Sequence, residues 1–465
     1  MRSLFSRAAG VCLLIVSAAS PAVAQPGSVD VRVAALLDQV SDERLAQILA
    51  TLATFGTRNT LSSTDLPARG IGAARQWILD QMAQSSPKLQ VSFDAYQIPA
   101  QGRITRDVDI RNVMAVLPGR SPRRIYISAH YDSLALVRRA DATAGGTPGR
   151  PATPASPGQR ADAPAAAPPA NLDNTAPGVN DDGTGTAVVM ELARVFAQSG
   201  IDFDATLVFI ALAGEEQGLI GARLHAQKAV ADRIRIDAVL NNDMLGNAAG
   251  GNGVVDGESV RVFSEGPEDS ASRQVARYIA RVAPRYVPSH RIVLIARHDR
   301  FGRGGDHTAF NQHGFAGVRI TEANEHYGRQ HTVDDTLDNV SRPYLLKNAR
   351  VNAAVLASLA LAPPAPATAD ERGQPMLGRG PSGYDANLRW VASPGAVGYS
   401  IYRRDAWAPD WQHVVVVGPV TQFVMPDVSI DDFVFGVAAL GADGSESLVS
   451  AYVNPPRAES VVKVK

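Results

Sequence analysis

The sequence predicts a mostly parallel α/β sheet flanked by helices, followed by a small all-β sandwich. Strand-like and helix-like segments alternate from about residue 111 to residue 361, as in a parallel sheet covered on both faces. A Pro/Ala-rich stretch at 362–370 then marks a boundary, and short strand-like segments with turn residues between them follow it. A chain of 465 residues has room for two such units.

The elements of the first unit are predicted from hydrophobic periodicity. Apolar residues at helical spacing predict helix over 31–55 and over 70–82. The alternating part contains predicted strands at 111–117, 124–129, 205–213, 238–242, 292–296 and 316–321, and predicted helices at 184–198, 219–230, 271–282, 307–313 and 342–361. Together these elements predict one α/β domain over 30–361. Residues 140–170 interrupt it with Ala, Pro, Gly and Thr, and we expect a flexible surface insertion there because this composition buries little apolar surface.

The second unit follows a linker at 362–381 and is predicted to be a β-sandwich at 382–457. Its predicted strands are 386–391, 398–403, 413–417, 422–425, 433–440 and 448–453. Trp390, Tyr399, Ile401, Tyr402 and the run 433–439 resemble the fibronectin type III pattern. This unit carries no catalytic motif, and nothing in it indicates which partner it binds.

The composition narrows the class of function. Hydrophobic residues make up 45% and charged residues 20%, which is typical of a globular protein. Lys and Arg number 45 against 46 Asp and Glu, so the chain lacks the basic excess of a nucleic-acid binder. Cys12 is the only cysteine and lies in the first apolar stretch, so we expect neither thiolate catalysis nor thiolate metal ligands in the mature protein.

The N-terminus predicts export. Arg2 and Arg7 give a positive start, residues 8–19 an apolar run, and Ala22-Val23-Ala24 a cleavage site of small residues. We therefore expect a signal peptide at 1–24 and a secreted or periplasmic protein. The apolar run is shorter than the roughly 20 residues that cross a bilayer, and no later segment reaches that length, so no transmembrane segment is expected.

Polar residues at predicted strand ends are the candidates for chemistry. His130 and Asp132 lie two apart at the end of a strand, so their side chains point the same way. A neutral imidazole is a good metal ligand, and a nearby carboxylate fixes its tautomer. Taken alone the pair is a weak signal, because a hydrogen-bonded strand end that binds no metal gives the same pattern.

Two acidic pairs follow further along the chain. Asp181-Asp182 opens a helix between glycines, which fits either an acidic first turn or a carboxylate facing an ion. Glu215-Glu216 follows the most apolar strand, where open α/β sheets place their ligands, although two surface glutamates capping a helix would give the same pattern. Asp243 ends another strand.

The combined set suits zinc. Its members share nitrogen or oxygen donors: His130, Asp181, Glu216, Asp243 and His331, with Asp132 and Glu215 beside them. Two histidines and three carboxylates without sulfur suit Zn²⁺, and one bridging carboxylate would allow two ions. Such a pair activates water and polarises a carbonyl, so the chemistry implied is amide hydrolysis.

Five motifs occur in one order: His130-x-Asp132, Gly178-x-x-Asp181-Asp182-x-x-Gly185, Glu215-Glu216-x-Gly218-Leu219-x-Gly221, Asp243 and His331-Thr332-x-x-Asp335. As a set they resemble the co-catalytic di-zinc exopeptidases typified by bacterial leucyl aminopeptidases and aminopeptidase Y. The resemblance covers most of residues 30–361 and implies two zinc ions per chain and peptides with a free N-terminus as substrates.

The resemblance also implies roles. His130 and Asp243 would hold one zinc, Glu216 and His331 the other, and Asp181 would bridge them. Asp132 would orient His130, and Glu215 would act as general base on the metal-activated water and then as general acid.

The oxyanion donor stays open. Several members of the family have Tyr before the last histidine, where this chain has Gln330. Gln330 itself or Tyr327 are the alternatives. Asp306-His307 resembles the family's Asp-His segment near the substrate pocket, without a role that the sequence fixes.

Other functions share this fold. The family also contains carboxypeptidases and one-zinc glutaminyl cyclases, and the full ligand set with paired Glu215-Glu216 favours the peptidase. A binding protein with an inactive α/β domain would be expected to lack a ligand or the base, and neither is missing.

Overall fold

The computed structural model describes residues 28–136 and 175–455. The predicted signal peptide at 1–24 and the predicted insertion at 140–170 lie outside the described residues. Within these two ranges, none of the helices combines the length and the apolarity needed to cross a bilayer.

An eight-stranded sheet forms the centre of the first unit. Its strands are β1 (Gln90–Ile98), β2 (Val108–Leu117), β3 (Ser121–His130), β4 (Ala205–Leu212), β5 (Ile236–Asn242), β6 (Ser259–Ser264), β7 (Arg291–Ile295) and β8 (Gly317–Glu322). They lie in the order β1-β2-β4-β3-β5-β8-β6-β7. The central strands β4, β3, β5 and β8 run parallel to one another. The antiparallel pairs are β1 with β2, β2 with β4 and β8 with β6.

Helices cover both faces of this sheet. They are α1 (Val31–Asp38), α2 (Asp42–Thr54), α3 (Gly70–Ser85), α4 (Thr184–Gln198), α5 (Ile220–Ala231), α6 (Ala271–Tyr286), α7 (Asp306–Gln312) and α8 (Arg342–Leu361). Apolar residues of α5 and α7 form a smaller core on one face, and the large core packs α1 to α4, α6 and α8 on the other. Every residue of β4 is buried, which accounts for its uninterrupted apolar sequence. The predicted fold class is confirmed.

Three elements differ from the sequence prediction. The helix expected over 31–55 is two helices, because the chain breaks at 39–41 and the Ser41 side chain accepts a hydrogen bond from the Arg44 amide at the start of α2. Strands β1 and β6 were not predicted. Residues of β1 alternate only between half-buried and exposed, so its apolar pattern is weak.

The C-terminal part is all β. Its strands are β9 (Leu377–Arg379), β10 (Ala386–Arg389), β11 (Gly398–Asp405), β12 (His413–Val417), β13 (Gln422–Met425), β14 (Phe433–Leu440) and β15 (Ser450–Ala451). They form antiparallel sheets of three strands, β13-β10-β9, and four strands, β12-β11-β14-β15. Trp390 and Tyr399 meet in the core of this part, with ring centroids 5.2 Å apart. Strand β9 lies within the predicted linker, and the fibronectin type III likeness stays a prediction.

Helix α6 and the segment just before it contact the C-terminal part. The buried Arg404 guanidinium donates to both carboxylate oxygens of Asp269, at 2.7 and 2.8 Å. The Trp411 ring lies 5.9 Å from the guanidinium of Arg277 and 5.8 Å from that of Arg404. The Tyr278 hydroxyl donates to the carbonyl of Glu446. The β part is therefore held to the α/β part by buried polar contacts.

Candidate active site

The predicted site residues meet at the carboxyl ends of three neighbouring strands. His130 is the last residue of β3, Asp243 follows β5, and Glu215-Glu216 follow β4. Strand β3 pairs in parallel with both β4 and β5, so the three strand ends lie side by side. This is the edge of an open α/β sheet at which ligands bind.

A tight turn before α4 brings Asp181 to the same edge. The turn spans Val179–Gly183, and the Asp335 carboxylate accepts from the backbone amides of Asn180 and Asp181, at 2.9 and 3.0 Å. Gly178 has a φ of +51°, and a Cβ at this position would lie 2.5 Å from the Cβ of Ser133. The glycine before the acidic pair is therefore required by backbone conformation and by close packing.

The histidines and carboxylates form two donor groups, which are His130, Asp182 and Asp243, and Asp181, Glu216 and His331, with the donor atoms of each within 4.8 Å of one another. Asp181 also joins the groups, since its Oδ1 lies 3.3 Å from His130 Nε2 and its Oδ2 lies 3.2 Å from His331 Nε2. Glu216 Oε2 lies 3.2 Å from His331 Nε2, and Asp243 Oδ1 lies 3.9 Å from His130 Nε2.

The donor atoms fit a metal centre. His130 Nε2 and Glu216 Oε1 are buried and have no hydrogen-bond partner among the described residues. A buried polar atom without a partner is costly, and a bound cation would satisfy both. Nitrogen and oxygen donors without sulfur suit zinc in a catalytic site.

Asp182 was not predicted as a ligand, although it belongs to the first donor group. Its carboxylate accepts from the backbone amides of His130 at 3.1 Å, Gly185 at 2.9 Å and Met244 at 3.0 Å. These bonds join β3, the turn before α4 and the segment after β5. Asp182 thus fixes the backbone on which His130 and Asp243 stand, and Asp181 is the carboxylate that faces both histidines.

Asp132 contacts His130 mainly through its backbone. His130 Nδ1 lies 3.1 Å from the Asp132 carbonyl oxygen and 3.6 Å from its carboxylate. The Asp132 carboxylate accepts from the amides of Glu215 and Glu216 and from the Thr60 hydroxyl, at 3.2, 3.3 and 3.0 Å. Asp132 therefore fixes the acidic pair after β4 as well as His130. The sequence prediction included only the contact with His130.

Comparison with known proteins identifies the family. The model of peptidase family M28 matches residues 112–356, more than half of the chain. A probable zinc metalloprotease of Pyricularia oryzae is 34% identical over 90% of this chain and 84% of that protein. A probable zinc metalloprotease of Pyrenophora teres is 32% identical over 91% and 87%. The chain belongs to peptidase family M28. The predicted family is confirmed, and with the two donor groups it confirms the zinc cofactor and is consistent with two ions.

Solved structures of other proteins have a fold similar to that of this chain. The LapA aminopeptidase of Legionella pneumophila superposes with a TM-score of 0.53 at 19% identity, over 73% of this chain and 77% of that one. A glutaminyl cyclase of Macrostomum lignano gives 0.52 at 17% identity, over 73% and 94%. These likenesses show the fold, and since they include both activities, the fold alone does not choose between them.

Charges in this M28 site attract one another strongly. The Glu216 carboxylate, more than any other neighbour, raises the pKa of the His331 imidazole to about 11. Burial works against ionisation of Asp181, but the neighbouring imidazoles of His130 and His331 outweigh it and hold the pKa of Asp181 well below the usual range. Asp181 thus interacts favourably with both histidines, and Glu216 does so with His331.

Glu215 is half-buried beside these groups and belongs to neither. Burial raises the pKa of its carboxyl well above the ordinary value, and the negative charges of Glu216 and Asp243 add to this effect, which exceeds the opposing influence of His130. A carboxyl group with a raised pKa in an active site suits proton transfer.

The four further candidates lie in different surroundings. Gln330 is half-buried and accepts from Arg303 at 3.1 Å, and its amide contacts the Met244 sulfur. The Tyr327 side chain is exposed. Asp306 is buried, neither of its carboxylate oxygens has a hydrogen-bond partner in the part of the chain that the structure describes, and burial raises its pKa to about 8. His307 is buried, and its Nε2 lies 2.7 Å from the His298 carbonyl oxygen.

Two buried arginines at the site were missed from the sequence. Arg58 donates to the carbonyls of Tyr131, Leu52, Pro177 and Gly178, and burial lowers its pKa to about 10. Arg319 lies 3.0 Å from Asp243. Asp335 was part of a quoted motif but had no role assigned. Nothing in the local sequence distinguishes these residues from exposed ones, because their partners are distant along the chain.

Proposed function

We propose that this M28 peptidase is a two-zinc aminopeptidase that removes N-terminal residues from peptides with a free amino group. The observation that supports it best is the position of Asp181, whose two oxygens lie 3.3 and 3.2 Å from Nε2 of His130 and of His331. A carboxylate shared in this way suits two ions, whereas the related glutaminyl cyclases use one.

The ligand assignment follows the distances. His130 and Asp243 would hold one zinc, Glu216 and His331 the other, and Asp181 would bridge them. Zinc in such a pair polarises a carbonyl and activates water. The chain's own contribution is to keep the ligand atoms in place through Asp182, Asp132 and Asp335, each of which accepts bonds from backbone amides beside a ligand.

Glu215 is proposed to move the proton. It would accept a proton from the attacking water and deliver it to the leaving amine, first as general base and then as general acid. Its amide is bonded to the Asp132 carboxylate at 3.2 Å, so Asp132 positions the base.

Substrate contacts are proposed for two of the remaining candidates. Gln330 is a better oxyanion donor than Tyr327, because Arg303 fixes its side chain and the Tyr327 ring is exposed. Asp306, whose buried carboxylate has no hydrogen-bond partner within residues 28–136 and 175–455, is proposed to face the free ammonium group of the substrate. His307, whose ring meets a backbone carbonyl, would position the start of α7.

We also propose export and a two-domain organisation. Removal of residues 1–24 would leave a secreted or periplasmic protein that begins at Gln25. The fibronectin type III-like unit would begin after the linker, near residue 382. N-terminal sequencing of protein recovered from the medium or periplasm tests the first point, and retention of Met1 in the mature protein would refute it.

The function is tested with matched peptides that differ only in a free or acetylated N-terminus, using mature protein with and without a zinc chelator. Release of the terminal residue from the free peptide alone, abolished by the chelator and restored by zinc, is expected. Glu215→Gln with zinc bound serves as the matched inactive control. Cleavage from the C-terminus would indicate a carboxypeptidase, and cyclisation of N-terminal glutamine with one zinc per chain would indicate a cyclase; either result would refute the proposal.

A further inference from the structure

Arg319 is a buried arginine beside one of the proposed zinc ligands. It lies on β8 and has a fully buried side chain. Its Nη1 lies 3.0 Å from Asp243 Oδ2, 3.4 Å from Asp299 Oδ2 and 3.1 Å from the carbonyl oxygen of Gly304. Two carboxylates and a carbonyl thus hold one nitrogen of the guanidinium in place.

The contact divides the carboxylate of Asp243 between two partners. Oδ1 faces His130 Nε2, and Oδ2 faces Arg319 Nη1. With Oδ2 engaged by a cation, Asp243 can offer a metal one oxygen, and the neighbouring positive charge reduces the negative charge that this oxygen presents.

Glu216, the corresponding carboxylate of the other donor group, is in a different situation. Its Oε2 faces His331, and its Oε1 has no hydrogen-bond partner among the described residues. Arg103 approaches this residue only at the backbone carbonyl, at 3.0 Å, and the arginine is exposed. Water screens an exposed charge far more than a buried one, so Arg103 reduces the negative charge of Glu216 less than Arg319 reduces that of Asp243.

We propose that Arg319 makes the two metal positions unequal, so that zinc binds more weakly between His130 and Asp243 than between Glu216 and His331. The inference rests on the two-zinc assignment made above and adds a residue that no ligand motif includes. Arg319 acts as a positioning residue through Asp243. The weakly held ion would be the one that is lost first when zinc is scarce.

The sign of the effect follows from charge. Removing the Arg319 guanidinium removes its repulsion of a cation bound by Asp243. At equal distance, this repulsion is twice as large for a divalent ion as for a proton on the same carboxylate. Zinc therefore gains more than the competing proton does. Arg319→Met should tighten zinc binding at the His130 position, whereas Asp299→Asn should weaken it, because it leaves the arginine charge less neutralised.

The experiment titrates zinc out of the loaded full-length protein with chelators of graded strength. The wild type should release two zinc ions at separate chelator strengths. Arg319→Met should bind the weaker ion about tenfold more tightly with little change in the other, because a repelling charge is removed. Asp299→Asn should bind it about tenfold more weakly, and Arg319→Lys should resemble the wild type. Zinc anomalous diffraction from crystals that retain one equivalent should show the remaining ion beside His331.

Several outcomes would overturn the inference. They are equal affinities in the wild type, a remaining ion beside His130, unchanged or weaker binding in Arg319→Met, and an Arg319→Lys variant that behaves like Arg319→Met. Should Arg319→Met fail to fold, Asp299→Asn decides alone, and unchanged affinity there overturns it. A wild type that binds only one zinc would instead refute the two-zinc function, which separates the two failures.

Discussion

His130 and Asp243 stand at the ends of two adjacent strands, whereas Glu216 and His331 are carried by loops. The side chains of His130 and Asp243 are 1% and 5% exposed, and that of His331 is 26% exposed. In the strand-borne half, Asp182 and Thr186 bond the backbone amide and carbonyl of His130. In the loop-borne half, His331 has a φ of +54° and its carbonyl accepts from the amide of Leu136.

The difference separates two tasks of the site. The strand-borne half is buried and takes its geometry from the sheet, so it provides a fixed reference for Asp181. The loop-borne half is open to solvent through His331, so the substrate is expected to approach from that side. Variants that act on both halves, on one half or on neither make this comparison testable.

Glu215 serves both halves, and its loss is expected to have the largest effect. Glu215→Gln should retain two zinc ions and a native melting temperature and lower kcat by about 10²–10⁴-fold, because proton transfer is lost while the ligands stay. Steady-state kinetics and zinc analysis of the same sample measure both. Substantial turnover with both metals bound would show that another group is the base.

Removing one histidine from each half compares the halves directly. His130→Ala and His331→Ala should each lose one zinc. In the zinc-free protein, His130→Ala should cost about 2–4 kcal/mol of unfolding free energy and His331→Ala about 1 kcal/mol, because only His130 is fully buried among carboxylates. Denaturant unfolding with chelator present provides the values. Equal costs would contradict the distinction between a rigid and an open half.

Substitution of Asp335 tests the role of Asp181, the residue that both halves share. Its carboxylate accepts one backbone bond per oxygen at Asn180 and Asp181, and Asp335→Asn replaces one acceptor with a donor. Zinc affinity should fall by about 10–100-fold at both positions, since Asp181 is shifted relative to each. Equilibrium dialysis measures it, and a loss confined to one position would mean that Asp181 does not bridge.

The C-terminal interface is expected to affect neither half. Asp269→Asn weakens the bidentate contact with buried Arg404 and should cost about 3 kcal/mol of stability. Zinc content and kcat/KM should stay within about twofold of the wild type, because Asp269 and Arg404 belong to neither donor group. A selective loss of activity would indicate that the β part influences the site.

The sequence predicted which distant residues lie close together better than it predicted the residues that hold them in place. His130, Glu216 and Asp243 follow apolar runs that read clearly as parallel strands, and the ends of parallel strands share one edge. Arg58 and Arg319 escaped detection because charged residues are expected at the surface, and their partners are backbone carbonyls or carboxylates far along the chain. The break between α1 and α2 was missed because apolar spacing continues across it.

Anomalous diffraction from a crystal of the zinc-loaded protein would show whether Asp181 joins two ions. We predict two zinc peaks, one contacted by His130 and Asp243, one contacted by Glu216 and His331, with one oxygen of Asp181 on each. A single peak, or a first zinc ligated by Asp182 with Asp181 turned away, would refute a pair of zinc ions bridged by Asp181.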